Sequence, residues 1–338
     1  MSAPLRVGVV GAGAMGASHV RTVVDFVPGA QVTSVFDMDG ERASASAAVA
    51  GATTCSSAQA LITADDVDAV ILASPDVTHA ELALACLAAG KPVLCEKPLA
   101  VTAVEALSIV AAEVDLGRRL LQVGFMRRYD PGFVELRRTV AAGRLGGVRL
   151  VHAMHRNASS STSTDDAGLV TGSMIHELDT IPWLLDDQIV GIRVESPITE
   201  GFRDPQLATL WTMGGVMATV EVFVNAGYGY DVRCEVVGAR GTASLVPTPP
   251  VSVRADGVDG LAVRDDFVAH FSDAYRIELG EWVASTRLGR PIGASAWDGY
   301  LANLVAEAGV ASLATGRREP VAPVDRPELY APVSRTRG

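Results

Sequence analysis

Lysine is almost missing from this chain: of its 28 basic residues, only Lys91 and Lys97 are lysines. Arginine stays charged and asks for a planar fork of acceptors, whereas an ammonium is compact and has a movable pKa. A lysine kept in so arginine-rich a chain therefore draws attention, Lys97 above all. Cysteine is scarce too. Cys55, Cys86, Cys95 and Cys234 stand far apart without metal-ligand spacing, which argues against a disulfide framework or a zinc site and for reduced thiols in a cytoplasmic protein. Positive charge is outweighed, with a formal net charge of -11 and no cluster of Lys and Arg, so a nucleic-acid backbone is excluded as partner. No apolar run approaches the roughly 20 residues of a membrane span. The opening MSAPLRVGVVGAGAMG carries neither a cleavage site nor a stop-transfer pattern, so no signal peptide and no membrane association are expected.

What is present is a well-buried globular composition, 49% hydrophobic and 20% charged over 338 residues. At roughly 150 residues per domain, that length predicts two domains. LRVGVV at 5 to 10 reads as a buried strand running into GAGAMG, with Gly11, Gly13, Ala14, Met15 and Gly16 forming a turn before a helix. Such a turn brings backbone amides and a helix N-terminus to a pyrophosphate. QVTSVFD is the next strand, and Asp37 closes it about 20 residues past the last glycine, where a carboxylate binds ribose hydroxyls. That carboxylate repels a 2′-phosphate, and Met38 offers nothing to hold one, so NAD is expected over NADP. Arg42, one helical turn on, leaves NADP open.

Strands at 67 to 75, at 91 to 100 with its exit, and at 120 to 125 alternate with helices at 78 to 90 and 102 to 117. This rhythm predicts an α/β Rossmann domain over 1–124, whose parallel sheet binds ligands outside the carboxyl ends of its strands. Ser74, Pro75, His79, Glu96 and Lys97 fall at those ends, as cofactor-side residues.

After Phe125 the rhythm changes. VRLVHAMHRN, IVGIRVESPI, LATLWTMGG, VMATVEVFV, YDVRCEVVG and GTASLV read as strands, and GG, GYGY and GARG as turns between them. Residues 125–338 are therefore expected to form an α+β domain for substrate binding and oligomerisation, with a large, mostly antiparallel open sheet. A late helix at about 297–314 is expected to pack back at the domain junction. The uncovered face of an open sheet favours a homo-oligomer. The polar stretch SSSTSTDDAG, 159 to 168, is long enough for a lid.

The blocks GAGAMG, SPDVTHAELALACLAAGKPVLCEKPLA, QVGFMRRYDPGF, HRN, IHELD followed by WLL, and SAWDGY, in this order, resemble the glucose-fructose oxidoreductase and inositol dehydrogenase (Gfo/Idh/MocA) family, and within it the inositol branch. The resemblance covers essentially the whole chain. It implies NAD-dependent oxidation of a secondary ring hydroxyl of a cyclitol or sugar, with myo-inositol as the reference substrate and a tetramer as the assembly. It implies that Lys97 is the catalytic lysine, followed by a cis bond to Pro98, and that His176 is the acid/base. It also implies that Arg127, His155 and Asn157 hold polyol hydroxyls, with Ser173 and Tyr230 as further substrate-binding candidates.

One departure stands out. The inositol branch carries an aspartate four residues before the histidine, and here Gly172 occupies that position. Three readings stay open: a changed substrate, a weakened enzyme, or a non-catalytic protein that senses NAD or sugar on the same fold. The chemistry needs a base within reach of the hydroxyl and a positive charge for the developing alkoxide, roles that His176 and Lys97 fill.

Each assignment has a plainer alternative. His176 would be a polar residue at a helix start, and Asp179 either a substitute orienter for it or an acid answering the helix macrodipole. Arg127 and Arg128 would pair with Asp130 and Glu135. His152 lies on the opposite strand face from His155 and reads as structural. His19 reads as packing. No metal site is expected, because no third ligand is spaced to join His176 and Asp179.

Overall fold

The computed structural model describes residues 3–160, 164–246, 251–289 and 291–331. The chain divides into two compact units. One comprises Met1–Phe125, Tyr275–Asn303 and Val324–Gly338, the other Met126–Ala274 and Leu304–Pro323.

In the first unit, β-branched runs form strands and alanine-rich runs between them form helices. Their order is β1 (Leu5–Val10), α1 (Ala14–Phe26), β2 (Ala30–Phe36), α2 (Gly40–Ala50), β3 (Thr53–Thr54), α3 (Ala58–Thr63), β4 (Ala69–Leu72), α4 (His79–Ala88), β5 (Val93–Glu96), α5 (Ala103–Leu116) and β6 (Leu121–Gly124). The sheet runs β3-β2-β1-β4-β5-β6, all parallel. This is the strand order of dinucleotide-binding sheets, and the order in which successive strands are added reverses between β1 and β4, the place where such sheets bind ligands. β4, β5 and β6 are buried at every residue, as strands covered on both faces must be. Val7, Val9, Val20, Val35 and Ile71 share a core with Leu279, Trp282 and Val283 from late in the chain.

The second unit opens with α6 (Pro131–Ala141), where Asp130 caps the amides of Gly132 and Phe133 and Pro131 takes the first turn. β7 (Val148–Arg156) follows. The polar stretch 159–168 is described only in part, since residues 161–163 lie outside the described residues and Asp166–Gly168 already forms a helical turn, α7. From there one continuous helical run passes through a π-helical segment, Leu169–Met174, into α8 (Ile175–Leu185). Then come β8 (Ile189–Glu195), β9 (Gln206–Thr212), β10 (Met217–Phe223), β11 (Asp231–Gly238), β12 (Gly241–Ser244), the hairpin β13 (Ser252–Ala255) and β14 (Val258–Leu261), α9 (Phe267–His270), α10 (Ser272–Arg287), α11 (Ala296–Thr315) and β15 (Glu319–Pro320).

The larger sheet runs β12-β11-β7-β10-β9-β8-β15. Its pairs are antiparallel except β7 with β10, which run parallel at its centre. The expected strands are thus present in a mostly antiparallel sheet. The parallel pair was not foreseen, because it joins strands separated by a helical crossover and two others. Burial alternates along β9, with Gln206, Ala208, Leu210 and Thr212 buried and Leu207 exposed, so one face is covered and the other open. On the covered side, a Cβ at Gly309 of α11 would lie 2.9 Å from Val170 and 3.0 Å from Ile192, so glycine lets that helix approach β8 closely. His152, Leu207, Thr219, Glu221 and Arg233 line a shallow depression on the open side. Among the described residues, no helix is long and apolar enough to cross a membrane.

Candidate active site

Three glycines shape the turn after β1, each for a different reason. Gly11 has φ +91°, and a Cβ there would sit 2.4 Å from the Ala73 carbonyl oxygen. A Cβ on Gly16 would sit 1.8 Å from the Gly11 carbonyl oxygen. At Gly13, by contrast, nothing lies within 4 Å of the position a Cβ would take, so that side of the turn is open to a ligand. α1 begins directly after Gly13 with no side-chain cap, which leaves the first-turn amides of Ala14, Met15 and Gly16 facing out as an anion cradle.

Asp37 flanks this turn. Its Oδ2 accepts from the Ala12 amide at 2.7 Å, and its Oδ1 accepts from the Asp39 amide at 2.8 Å and from Arg42 Nη2 at 2.9 Å. Burial works against its charge, but those two amides and Arg42 outweigh it and hold the carboxyl below its ordinary range. Met38 is 94% exposed. The open cradle and the ionised acid beside it fit a dinucleotide with free ribose hydroxyls.

The other residues expected on the cofactor side gather at the ends of β4 and β5. The Ser74 and Thr78 hydroxyls share a hydrogen bond of 2.6 Å ahead of α4. His79 is wholly buried, with Nδ1 2.7 Å from the Pro98 carbonyl oxygen and Nε2 2.9 Å from that of Ser74. Glu96 Oε1 lies 2.7 Å from His19 Nε2, and its Oε2 accepts from the Lys97 amide at 3.3 Å. Lys97 is half-buried and its bond to Pro98 is cis. Lys91 is elsewhere, donating to the Ala64 carbonyl oxygen at 2.6 Å. His19 is more than packing, because it pairs with Glu96.

In the second unit, His176 is the second residue of α8 and 6% exposed. The sequence placed it at a helix start, but the helical run begins at Asp166 and passes through the π segment, so His176 lies inside it. Asp179 is therefore not a charge at a helix N-terminus. It accepts from Arg128 Nε at 3.0 Å with its side chain 1% exposed. Arg127 pairs with Glu177, both 2% exposed. The expected partners are otherwise engaged, Asp130 as the cap of α6 and Glu135 beside Arg138 at 3.8 Å.

A histidine pair and a tyrosine complete this half. The His155 ring lies edge-on to that of His176 with centroids 5.9 Å apart, and edge-on to that of Tyr230 at 5.7 Å. His155 Nδ1 is 3.5 Å from Glu177 Oε2, and its Nε2 is 3.4 Å from the Tyr230 hydroxyl. Burial pushes the Tyr230 phenol up to about 12, so it stays a donor. Burial also disfavours the Glu177 charge, but Arg127 and His155 overcome this and hold its carboxyl below the ordinary range. Glu177 was not singled out in the sequence. The available signal was a pair of acids, Glu177 and Asp179, in the largely apolar run IHELDTIPWLL, which burial obliges to find cationic partners.

Asn157 follows β7, its amide donating to the Phe223 carbonyl oxygen at 3.0 Å. Its Oδ1 is buried and has no hydrogen-bond partner among the described residues. Ser173 is half-buried in the π segment beside Gly172, around which nothing lies within 4 Å of a built Cβ. His152 points to the other side of the sheet, 2.8 Å from the Thr219 hydroxyl. The structure thus groups Ser74, His79, Glu96 and Lys97 in one unit. In the other it groups Arg127, His155, His176 and Tyr230 around the unforeseen Glu177.

Comparison with known proteins gives concordant results. Residues 5–125 match GFO_IDH_MocA, the oxidoreductase family with an NAD-binding Rossmann fold, and residues 133–244 match the GFO/IDH/MocA C-terminal domain. The chain is 47% identical to inositol 2-dehydrogenase 2 of Saccharopolyspora erythraea, over 98% of this chain and 99% of that one. It is 43% identical to inositol 2-dehydrogenase of Streptomyces avermitilis, over 99% and 100%. The structure superposes with a TM-score of 0.93 on myo-inositol dehydrogenase from Lactobacillus casei in complex with NAD(H) and myo-inositol, at 34% identity, covering 97% of this chain and 99% of that one.

Proposed function

We propose that this chain, which belongs to the GFO/IDH/MocA family of NAD-dependent oxidoreductases, is an inositol 2-dehydrogenase-like enzyme that oxidises a secondary ring hydroxyl of a cyclitol to the ketone. The observation that carries the substrate class is the full-length likeness to inositol 2-dehydrogenases at up to 48% identity. Asn157 adds support, because a buried amide oxygen without a protein donor is satisfied by a polyol hydroxyl.

Gly11, Gly13, Ala14, Met15 and Gly16 form the pyrophosphate cradle, Asp37 takes the adenosine ribose, and Ser74 and Pro75 border the nicotinamide. Bound NAD supplies the two-electron acceptor. His176 accepts the hydroxyl proton, and the Lys97 ammonium stabilises the alkoxide charge that this leaves until C–H cleavage turns it into the ketone. His155, Asn157, Ser173 and Tyr230 orient the ring hydroxyls. Arg127 contributes through Glu177, since its own side chain is buried in that pair. The space beside Gly172 admits either a water or a ring substituent where an acid would stand, which favours a modified cyclitol alongside myo-inositol. The open face of the larger sheet is the surface on which copies of the chain assemble, as a tetramer.

The test is NADH formation by the purified protein with NAD and a panel of inositols, aminocyclitols and hexoses. Turnover of a cyclitol that disappears in Lys97→Ala supports the reading. Absence of any signal above that control leaves an NAD-binding sensor as the better account.

A further inference from the structure

We propose that His19 and His79 form a two-sided clamp that positions Lys97, each gripping one of its chain neighbours from a helix that begins at a cofactor-binding turn. The proposal rests on the reading of Lys97 as the catalytic lysine.

The His79 side is fixed by proton counting. Both ring nitrogens lie at hydrogen-bond distance from carbonyl oxygens, 2.7 Å to Pro98 and 2.9 Å to Ser74, in a residue with 0% exposure. Carbonyl oxygens only accept, so each nitrogen must carry a proton, and an imidazole that carries both is an imidazolium. Either neutral tautomer would set a nitrogen lone pair against a carbonyl oxygen where no water intervenes. The groups facing it are the Cys95 sulfur and Asp76. Burial opposes the charge, but Cys95 and the Pro98 carbonyl outweigh it and raise the pKa to about 10.

The His19 side grips the preceding residue. His19 is 1% exposed, and its Nε2 donates to Glu96 Oε1 at 2.7 Å while the other carboxylate oxygen accepts the Lys97 amide at 3.3 Å. The Tyr275 ring stands edge-on to His19 with centroids 5.9 Å apart, which fixes the imidazole plane. Burial disfavours the Glu96 charge, but His19 and Lys97 hold its carboxyl below the ordinary range.

Backbone on both sides of Lys97 is thus tied down, so the four-carbon stem of the lysine starts from a fixed point. α1 carries His19 and starts at the glycine turn, whereas α4 carries His79 and starts at the Ser74–Thr78 turn. A buried charged pair generally stabilises no better than apolar packing of the same volume. A buried His79 imidazolium on one side of the lysine and a buried Glu96 carboxylate on the other are therefore better explained by placement of its ammonium than by stability.

The test combines a spectroscopic readout with kinetics. In protein labelled with ¹⁵N-histidine and free of cofactor, both His79 nitrogens are expected to be protonated at pH 8.5, and a neutral His79 would overturn the clamp. His79→Gln retains a single donor nitrogen that cannot serve both carbonyls, and His19→Gln loses the fixed ring. Each is expected to lower kcat, measured at saturating NAD and myo-inositol, about 10- to 100-fold, while His19→Gln keeps the Kd for NADH, read by fluorescence, within about twofold of the parent. Unchanged kcat with intact NADH binding in both variants rejects the proposal. Turnover retained in Lys97→Met would instead remove the reading beneath it, an outcome separable from failure of the clamp alone.

Discussion

Arg127 and Glu177 form an ion pair in which each side chain is only 2% exposed. It joins the short helical turn after β6 to α8, and its carboxylate also faces His155. A charge buried so deeply is tolerable only while its partner is present. Glu177→Gln is expected to destabilise the protein by about 3–5 kcal/mol, because it strands the guanidinium. Arg127→Met combined with Glu177→Gln is expected to recover more than half of that loss. Urea unfolding of the three proteins checks this, and equal losses in the single and double variants would contradict it.

Acid stability follows from the same carboxylates. Glu177 and Glu96 both have folded pKa values below the ordinary 4.5. On acidification the unfolded chain takes up their protons first, so their stabilisation is complete above about pH 4.5 and is lost as pH falls through the folded values. Asp37 and Asp68 shift the same way. Glu113 shifts upward, chiefly through burial, and opposes this trend because its contribution fades as pH rises. Asp166, Asp231 and Asp259 are lowered as well, so among the described residues seven lowered carboxylates stand against one raised, and Tm is expected to fall steeply below about pH 4.5. A flat Tm down to pH 3 would exclude this balance.

Gly172 sits in a helical segment with open space around it. Gly172→Ala is therefore expected to stabilise the fold by roughly 0.5–1 kcal/mol, since it restricts the unfolded chain and meets nothing when folded. Gly172→Asp places a carboxylate on the helical face that carries His176 and is expected to raise turnover of myo-inositol. Thermal unfolding checks the first expectation and steady-state NADH formation the second.

Asp37 holds Arg42 at 2.9 Å, and we propose that cofactor choice turns on this acid. Asp37→Ser removes the ribose acceptor and releases that guanidinium. The expected result is at least a 10-fold fall in kcat/KM for NAD with a rise for NADP, measured on the same substrate. An unchanged NAD preference would place the discrimination elsewhere.

The first unit was legible because its signals are local. Buried strands at Leu5–Val10 and Ala69–Leu72, the glycine spacing and Asp37 each lie within a few residues of the feature they produce. The strands of the second unit were also readable from alternation and turn residues. The parallel pairing of Val148–Arg156 with Met217–Phe223 was not, because pairing across a crossover leaves no mark on either strand. The helical context of His176 was misread for a related reason. Gly172 looks like a boundary in one dimension, whereas packing of Leu169, Val170 and Met174 carries the helix straight through it. Partner choice was the least visible of all: Arg127 and Arg128 lie close in sequence to Asp130 and Glu135 but pair with acids some fifty positions away.

The wide helical turns of Leu169–Met174 make the helical run of the second unit tolerant of changes in length. A π segment accommodates surplus chain without breaking the axis, whereas one residue added to a regular α-helix turns everything before it by about 100°. Deleting one residue there would let the run close as ordinary helix while the segments on either side keep their facing. Small insertions and deletions in this stretch would therefore be absorbed locally, a way to vary the chain beside Gly172 while the histidine cluster stays in place.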